Sequence, residues 1–351
     1  MLKLRPALLA VALAFSASTI HAASLPNGVV YSANEGDGSV SKIVLSTGNV
    51  QTTPISVVPH NVQISPDGKT VLAVGTAKNN GGGHGGHGEK AAGAHSDGAD
   101  AHGDAGLLIL DGDQLDKVLQ TLPSGDHPAH IVTSSDGRYA YITNADKDRV
   151  SVVDIQAKKI TAEIDTGSYP HGLRLSPSGL ELYVANVTDN SASVIDTKSL
   201  KEVARIPVGK APVQVAFTPD GKQVYVSLRD ENSVAVIDVE TRKVTNRIGV
   251  GRGPIQLYAA AGDTMYVANQ GSDTYPDNTV SVIDTTNQKV IGTVVTGKGA
   301  HGVVASEDGK YVFITNTLDN SVSAIDTSTQ DVVATYQVGP NPNGITYRSA
   351  P

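Results

Sequence analysis

The sequence contains no cysteine and no tryptophan, and only three phenylalanines and two methionines. Without cysteine the chain forms no disulfide, offers no thiol nucleophile and lacks the Cys-x-x-Cys-His motif that attaches haem. With so few aromatic side chains, there is little surface on which nucleic-acid bases could stack. The fold must therefore be stabilised by packing and hydrogen bonds alone.

Basic residues are also too few to balance the acidic ones. The chain has 27 Lys and Arg against 35 Asp and Glu, a formal net charge of −8. Such a surface repels a phosphate backbone on average. We therefore expect no nucleic acid among the partners.

The first residues have the three-part layout of a secretory signal peptide. Lys3 and Arg5 precede a short apolar run over residues 7–15, and small residues follow up to Ala22. We expect cleavage after Ala22, which leaves residues 23–351 as the mature chain in the periplasm or outside the cell. The apolar run is too short for a membrane span, and no later segment is longer, so we expect no span.

Internal repeats are the strongest signal in the sequence. Strings of the Val-Ser-Val-Ile-Asp type end at Asp154, Asp196, Asp238, Asp284 and Asp326, at spacings of 42, 42, 46 and 42 residues. Strings such as Tyr183-Val-Ala-Asn186 and turns such as Ser65-Pro-Asp-Gly-Lys69 recur at the same interval. A fixed period of about 40 residues is typical of a solenoid or a propeller.

Each repeat contains four short strands, which makes it one blade of a β-propeller. In one repeat the strands are predicted at residues 213–217, 223–227, 233–237 and 243–248. Six complete units, at 59–125, 126–167, 168–209, 210–251, 252–297 and 298–339, leave three strands at about 29–58 and one at 344–348. We therefore predict an all-β, seven-bladed propeller with four-stranded antiparallel blades, closed by N- and C-terminal strands that share one blade and leave no open edge.

These strings resemble the YVTN-repeat, YncE-like propellers, which are related to surface-layer proteins and to the haem-d1 domain of nitrite reductases. The resemblance covers residues 25–348 and implies the fold. It does not imply one function, because propellers include enzymes, binding proteins and scaffolds.

A comparison among the repeats predicts a histidine cluster at the central channel. The residues that open the innermost strands read His60, His130, His171, Val213, Ile255, His301 and Asn343. Imidazoles that converge from neighbouring strands suit zinc, copper or nickel. The alternative is that each histidine only hydrogen-bonds a loop carbonyl at the start of its strand.

A second histidine-rich feature interrupts the first complete unit. The insertion at residues 78–104 contains His84, His87, His95 and His102 among glycines and aspartates. This composition predicts a solvated, flexible loop, and histidine-rich tracts of this kind are typical of metal binding. A spacer between two strands is the alternative.

Topology relates the two features. The loop between the second and third strands of a blade lies at the same end as the start of the first strand, so the insertion is expected beside the predicted channel histidines. We therefore expect a monomeric, exported propeller that binds a metal ion, zinc or copper, at the channel mouth and uses the loop for capture or delivery. A periplasmic protein is a second candidate partner.

Two other classes of function stay open at this stage. One is a scaffold for a protein or an envelope component, with no metal. The other is an enzyme. A lactonase-like activity is disfavoured because the channel-opening positions contain no carboxylate, and a haem-d1-like activity is disfavoured because the histidine positions match only loosely and no electron-donating domain is fused. No Ser-His-Asp spacing, Gly-x-Ser-x-Gly motif or phosphate loop is present, so an enzyme is the less favoured class.

Several further polar residues are weaker candidates. His127 could be an outer ligand or a turn residue, and Asp126 and Asp277 are interpreted as solvated loop carboxylates. The repeated asparagines, among them Asn144 and Asn186, are expected to hold blade loops by backbone hydrogen bonds. The repeated aspartates are expected to start the turn into each outer strand.

Overall fold

The computed structural model describes residue 25 and residues 27–78, 106–260 and 262–349. Within these ranges the chain forms seven four-stranded antiparallel sheets whose innermost strands pack in a ring, so the predicted seven-bladed propeller is confirmed. The predicted signal peptide, residues 1–22, and the histidines of the predicted insertion, His84, His87, His95 and His102, lie outside the described residues.

The first four blades follow the order of the chain, except that the innermost strand of blade 1 comes from the end of the chain. Blade 1 contains β1 (Gly28–Asn34), β2 (Ser39–Val44) and β3 (Asn49–Pro54). Blade 2 contains β4 (Val57–Ile64), β5 (Thr70–Ala77), β6 (Gly106–Asp111) and β7 (Val118–Pro123). Blade 3 contains β8 (Pro128–Thr133), β9 (Tyr139–Asn144), β10 (Arg149–Asp154) and β11 (Lys159–Asp165). Blade 4 contains β12 (Pro170–Leu175), β13 (Glu181–Asn186), β14 (Ser191–Asp196) and β15 (Lys201–Pro207).

The remaining strands complete the ring. Blade 5 contains β16 (Pro212–Phe217), β17 (Gln223–Leu228), β18 (Ser233–Asp238) and β19 (Lys243–Gly249). Blade 6 contains β20 (Pro254–Ala260), β21 (Thr264–Gly271), β22 (Pro276–Asp284) and β23 (Lys289–Val295). Blade 7 contains β24 (Ala300–Ala305), β25 (Tyr311–Asn316), β26 (Ser321–Asp326) and β27 (Asp331–Gln337). The last strand is β28 (Pro342–Ser349).

The two ends of the described chain meet in blade 1, as predicted. Strand β28 is the innermost strand of that blade and pairs antiparallel with β1, for example Val30 with Tyr347. This pairing joins blade 7 to blade 2 and leaves no gap in the ring.

The core consists of apolar layers between neighbouring blades. Between blades 4 and 5, for example, Tyr183 and Val194 pack with Val215 and Val224. Middle strands are apolar on both faces because each blade is covered on both sides, whereas outer strands such as β15 alternate between exposed and covered residues. Buried runs of β-branched and aromatic residues therefore become second and third strands, and alternating sequences become outer strands.

Hydrogen bonds confirm the structural interpretation of the repeated polar residues and correct one detail. The Asp238 carboxylate accepts from the Thr241 amide in the turn that leads to the outer strand β19, as expected. Asn186 Nδ2, however, donates to the hydroxyls of Ser191 and Ser193 at 2.9 and 2.8 Å, so its main partners are side chains of the third strand and not loop backbone. Because the middle strands are buried away from water, the asparagine amide needs protein acceptors, and the serine hydroxyls provide them.

Every innermost strand contains a β-bulge near its start. In blade 4, Pro170 pairs with Asn186, and the next paired residues are Leu173 and Val184, so one extra residue lies on the inner strand. The same shift occurs in the other six innermost strands. A bulge changes the direction in which side chains point, and this determines which of them enter the channel.

Helical structure is minor in the described ranges. The helices there are two 3-10 turns, Ala145–Lys147 and Arg229–Glu231. Neither these turns nor any other helix within the described ranges has the length and apolar character needed to cross a membrane.

Candidate metal centre

Three of the four predicted channel histidines meet at the centre of the ring. His60, His130 and His171 come from β4, β8 and β12, the innermost strands of three consecutive blades. One ring nitrogen from each lies within 4.8 Å of the others, a spacing from which the three could hold a metal ion. The ring centroids are 4.6 to 5.3 Å apart.

The sequence alignment of the repeats placed His130 one residue too early. Pro128 pairs with Asn144 in the way that Pro170 pairs with Asn186, so the true equivalent of His171 is Ala129. His130 is instead equivalent to Gly172 and Gln214, inside the bulge. It reaches the other two histidines because the bulge directs this position towards the channel as well.

His60 is oriented by a carboxylate. Its Nδ1 lies 3.2 Å from Oε1 of Glu35, a residue in the loop after β1. Asn343 Nδ2 donates to the other oxygen of Glu35 at 3.1 Å and lies 3.3 Å from the same Nδ1. Because an ionised carboxylate only accepts, the proton of a neutral His60 belongs on Nδ1 and the lone pair on Nε2.

His171 is oriented by a backbone carbonyl of the next blade. Its Nδ1 lies 3.2 Å from the oxygen of Val213, which also can only accept, so Nδ1 carries the proton. The neighbouring Gly172 allows this approach, since a Cβ at that position would lie 2.5 Å from the same oxygen. This carbonyl belongs to strand β16 of the next blade and not to a loop at the start of the histidine's own strand, which was the alternative, and the contact leaves Nε2 for the channel.

The two oriented rings direct their Nε2 atoms at each other. The His60 and His171 Nε2 atoms are 3.2 Å apart. Two lone pairs at this distance repel unless a proton or a metal ion lies between them. Ligand nitrogens about 2.0 to 2.1 Å from a tetrahedral zinc ion are about 3.3 to 3.4 Å apart, which is close to the observed separation.

His130 supplies the third imidazole from a more buried position. Its side chain is 1% exposed and its Nε2 has no hydrogen-bond partner among the described residues. Burial, aided by His171 and His60, lowers the pKa of His130 well below its ordinary value, so the ring stays neutral and able to bind a metal. Its Nδ1 lies 3.5 Å from Gln214 Nε2, a donor and not an acceptor, so His130 is less firmly oriented than the other two.

His301, the fourth predicted ligand, lies outside the three-histidine group. In ring order Asn343 separates it from His60, and its side chain is buried. Burial lowers the pKa of His301 to about 3. Val213 and Ile255, the apolar pair of the same ring, are buried as well.

Glu35 and Gln214 are site residues that the sequence reasoning missed. Glu35 directly follows the Tyr31-Ser-Ala-Asn34 string, and the residues at the same place after Asn144, Asn186 and Asn316 are Ala145, Val187 and Thr317. A comparison of the repeats one residue further would have identified this isolated carboxylate. Gln214 could be found only from the bulge, which the sequence does not reveal.

The weaker candidates lie away from the triad. His127 has φ +49° in the loop before β8, and its Nδ1 lies 2.9 Å from Oδ2 of Asp146, a loop contact. Asp126 is close to Lys147, and Asp277 accepts from the Arg252 amide. These contacts support the structural interpretation of all three residues.

The connection that contains the histidine-rich insertion begins near the triad. Strand β5 ends at Ala77, which pairs with Val57 at the start of β4, and β6 begins at Gly106. His60 is three residues after Val57. The chain therefore leaves the described part of blade 2 at the same end of the ring as the triad.

Comparison with known proteins identifies the fold family. The model of YNCE-like β-propellers matches residues 114–262 and 253–349. No curated protein matches the chain.

Several solved structures share the architecture. Hydrazine synthase of Kuenenia stuttgartiensis is 23% identical, with a TM-score of 0.65 over 82% of this chain and 88% of that one. A functionally unknown protein from Desulfotomaculum acetoxidans is 14% identical, with a TM-score of 0.71 over 92% and 99%. The dihydro-haem d1 dehydrogenase NirN, in complex with DHE, is 14% identical, with a TM-score of 0.63 over 92% and 76%. At these identities the likeness extends to the fold alone.

Proposed function

The chain belongs to the YncE-like β-propeller family, and from that premise we propose that it binds one transition-metal ion through His60, His130 and His171. The observation that carries the proposal is the opposition of the His60 and His171 Nε2 atoms at 3.2 Å. A metal ion between them removes the repulsion of the two lone pairs. A shared proton would do the same, but it would not use the third neutral imidazole beside them.

The surroundings of the two rings are those of metal ligands. A histidine that binds a metal usually donates its other N–H to a carboxylate or a carbonyl, which fixes the ring and increases its basicity. Glu35 does this for His60, and the Val213 carbonyl does it for His171. The geometry of these two nitrogens therefore supports binding through Nε2.

Zinc is the metal that we propose first, and copper second. Imidazole nitrogens suit both ions, and three of them leave one position of a tetrahedral zinc ion for a further ligand. Glu35 supplies a single negative charge near the site, so the centre keeps a net positive charge when a divalent ion is bound. This favours an additional anionic ligand.

Elemental analysis of the full chain, purified without an affinity tag and washed with a weak chelator, tests the proposal. We expect about one zinc or copper ion per chain and its loss in the variant with His60→Ala, His130→Ala and His171→Ala. His127→Ala is the matched control, because His127 contacts Asp146 in a loop outside the triad, and it should retain the ion. A wild-type protein without tightly bound metal at micromolar supply would contradict the proposal.

We further propose that the histidine-rich segment around His84, His87, His95 and His102 collects metal for the triad. The support is its composition and the start of the connection beside β4. Replacement of residues 79–105 by a Gly-Ser linker of equal length should slow metal loading and remove weak binding, while the tight site persists. Unchanged loading kinetics in stopped-flow measurements would count against a capture role.

Export is proposed from the first 22 residues, with the mature protein acting in the periplasm or outside the cell. N-terminal sequencing of the protein from the exported fraction should begin at Ala23. Recovery of an uncleaved chain only from the cytoplasmic fraction would contradict export.

A further inference from the structure

Arg174 is a positive charge inside the channel that has no acidic partner in the described part of the chain. It lies in β12, three residues after His171, and its guanidinium carbon is 5.5 Å from the ring centroid of Tyr258 in β20. Blade 5 separates these two strands around the ring, so the contact runs across the channel. No described residue forms an ion pair or a hydrogen bond with Arg174.

The guanidinium of Arg174 is only partly covered by protein. This partial burial lowers the pKa of the Arg174 guanidinium. Tyr258 covers the guanidinium at one side through a cation–π contact, but an aromatic ring accepts no strong hydrogen bond from the N–H groups. Arg174 is partly exposed, so its remaining N–H donors are accessible from the channel, and a guanidinium is suited to a carboxylate ligand.

The candidate metal centre lies on the same channel. Arg174 lies on β12, the strand that also carries His171, and its guanidinium extends from there across the channel to Tyr258. His130 occupies the bulge position of β8, which corresponds to the residue after His171 in β12. Arg174 lies two residues beyond that position in β12, a rise of about 7 Å along the strand. A metal ion and a guanidinium so placed repel each other, and an anion between them would offset both charges.

We propose that the channel binds a small-molecule carboxylate that bridges the metal ion at the His60–His130–His171 triad and the guanidinium of Arg174. A carboxylate fits because one oxygen can bind the metal at about 2.0 to 2.2 Å while the other accepts from a guanidinium N–H at about 2.7 to 2.9 Å. The carboxylate oxygen fills the fourth position that three histidines leave on a tetrahedral ion. This inference rests on the proposed metal site and defines the class of ligand that the site accepts.

The test uses the full chain loaded with cobalt(II), whose visible spectrum responds to its ligands, and titrated with sodium acetate in a buffer free of carboxylates. In the wild type, acetate should change the spectrum in a saturable way. In Arg174→Gln, the acetate dissociation constant should rise about tenfold or more, because a charge-assisted hydrogen bond is lost. Arg174→Lys, which keeps the charge but not the paired donors, should lie between the two.

Controls separate this inference from the metal proposal. Arg149→Gln removes an arginine that pairs with Glu163 near the outer edge of blade 3, and it should bind acetate like the wild type. Cobalt affinity without acetate should not fall in Arg174→Gln. Cobalt binding with no acetate response, or with the same response in Arg174→Gln, would overturn the inference and leave the metal site standing.

The opposite failure is also distinguishable. If cobalt does not bind at the triad, acetate binding to the metal-free protein is measured by calorimetry in wild type and Arg174→Gln. Binding that depends on Arg174 would then show an anion site without a metal, and the bridged arrangement would fall together with the metal proposal. Absence of binding would overturn both.

Discussion

At the scale of single residues, the site depends on which nitrogen of each imidazole carries the proton. Glu35 and the Val213 carbonyl settle this for His60 and His171, because each is an acceptor placed at Nδ1. Gln214 offers a donor to His130 and leaves that ring without the same constraint. The two oriented rings therefore define the position that we propose for the ion, and His130 is the ligand that would adjust to it.

Substitution of Glu35 tests whether its carboxylate orients His60 as a ligand. Glu35→Gln should weaken metal affinity by about 10- to 100-fold, the usual effect of losing a partner of a histidine ligand. Competition with a fluorescent chelator measures the affinity. Asp37→Asn in the same loop, where Asp37 is exposed, is the control and should bind like the wild type. Equal affinities for all three proteins would show that Glu35 does not orient a ligand.

His301 leads to a prediction about pH. The unfolded chain takes up a proton at this histidine below about pH 6.5, whereas the folded chain does so only near pH 3. Acidification between these values therefore favours unfolding, with a slope of up to about 1.4 kcal/mol per pH unit.

His301→Leu should remove this contribution, since leucine fills a similar volume and has no proton to gain. Thermal melts should show little difference between variant and wild type at pH 7.5 and a more stable variant at pH 5, by up to about 2 kcal/mol. His127→Leu, at a partly exposed loop position, is the control. Parallel stability curves for His301→Leu and wild type would contradict the expected proton uptake.

At the scale of strands, a buried asparagine links the second and third strands of most blades, whereas Gly75 and Leu228 occupy the same position in blades 2 and 5. Asn34, Asn186, Asn269 and Asn316 each end or nearly end a second strand and donate to two hydroxyls of the third strand or its start. These side chains are fully buried, so their hydrogen bonds cannot be replaced by bulk water. The sequence repeat therefore specifies hydrogen bonds between strands as well as the positions of buried apolar residues.

Asn186→Ala should lower the free energy of unfolding by about 1 to 3 kcal/mol, because two buried hydroxyls lose their donor. Urea denaturation followed by circular dichroism measures the change. Asn49→Ala, at the exposed start of β3, is the control and should stay within about 0.5 kcal/mol of the wild type. A similar small effect at Asn186 would mean that other groups satisfy the two serines.

At the scale of the whole molecule, stability depends on closure of the ring. Strand β28 pairs with β1 and contributes Ile345 and Tyr347 to the layer between blades 7 and 1. It also supplies Asn343, which contacts Glu35 at the candidate site. The last strand thus couples closure of the fold to the orientation of His60.

A chain that ends at Gly339 should lose several kcal/mol of stability, since two buried apolar side chains and a row of strand hydrogen bonds disappear. Its urea midpoint and its metal affinity should both fall. A chain that ends at Ser349 retains all of β28 and should match the wild type. A truncated protein with an unchanged midpoint would show that closure through β28 contributes little.

The sequence by itself determined the number of blades, the strands and the shared blade of the two ends. Most blades repeat a common local pattern of β-branched runs, turns of the Pro-Asp-Gly type and buried asparagines, so strand positions such as 223–227 were predicted to within about one residue. Local pattern also identified His60 and His171, because both directly follow a proline at the start of an innermost strand.

Only the tertiary structure decided which side chains meet in the channel. A bulge shifts the pairing by one residue, and it brings His130 from a different register position to the same centre. The contact of Arg174 with Tyr258 across the channel likewise depends on how the blades are arranged around the ring. Glu35 and His60 are 25 residues apart and approach each other only because two neighbouring blades pack together. Contacts between strands of different blades depend on the closed ring, and no single repeat contains that information.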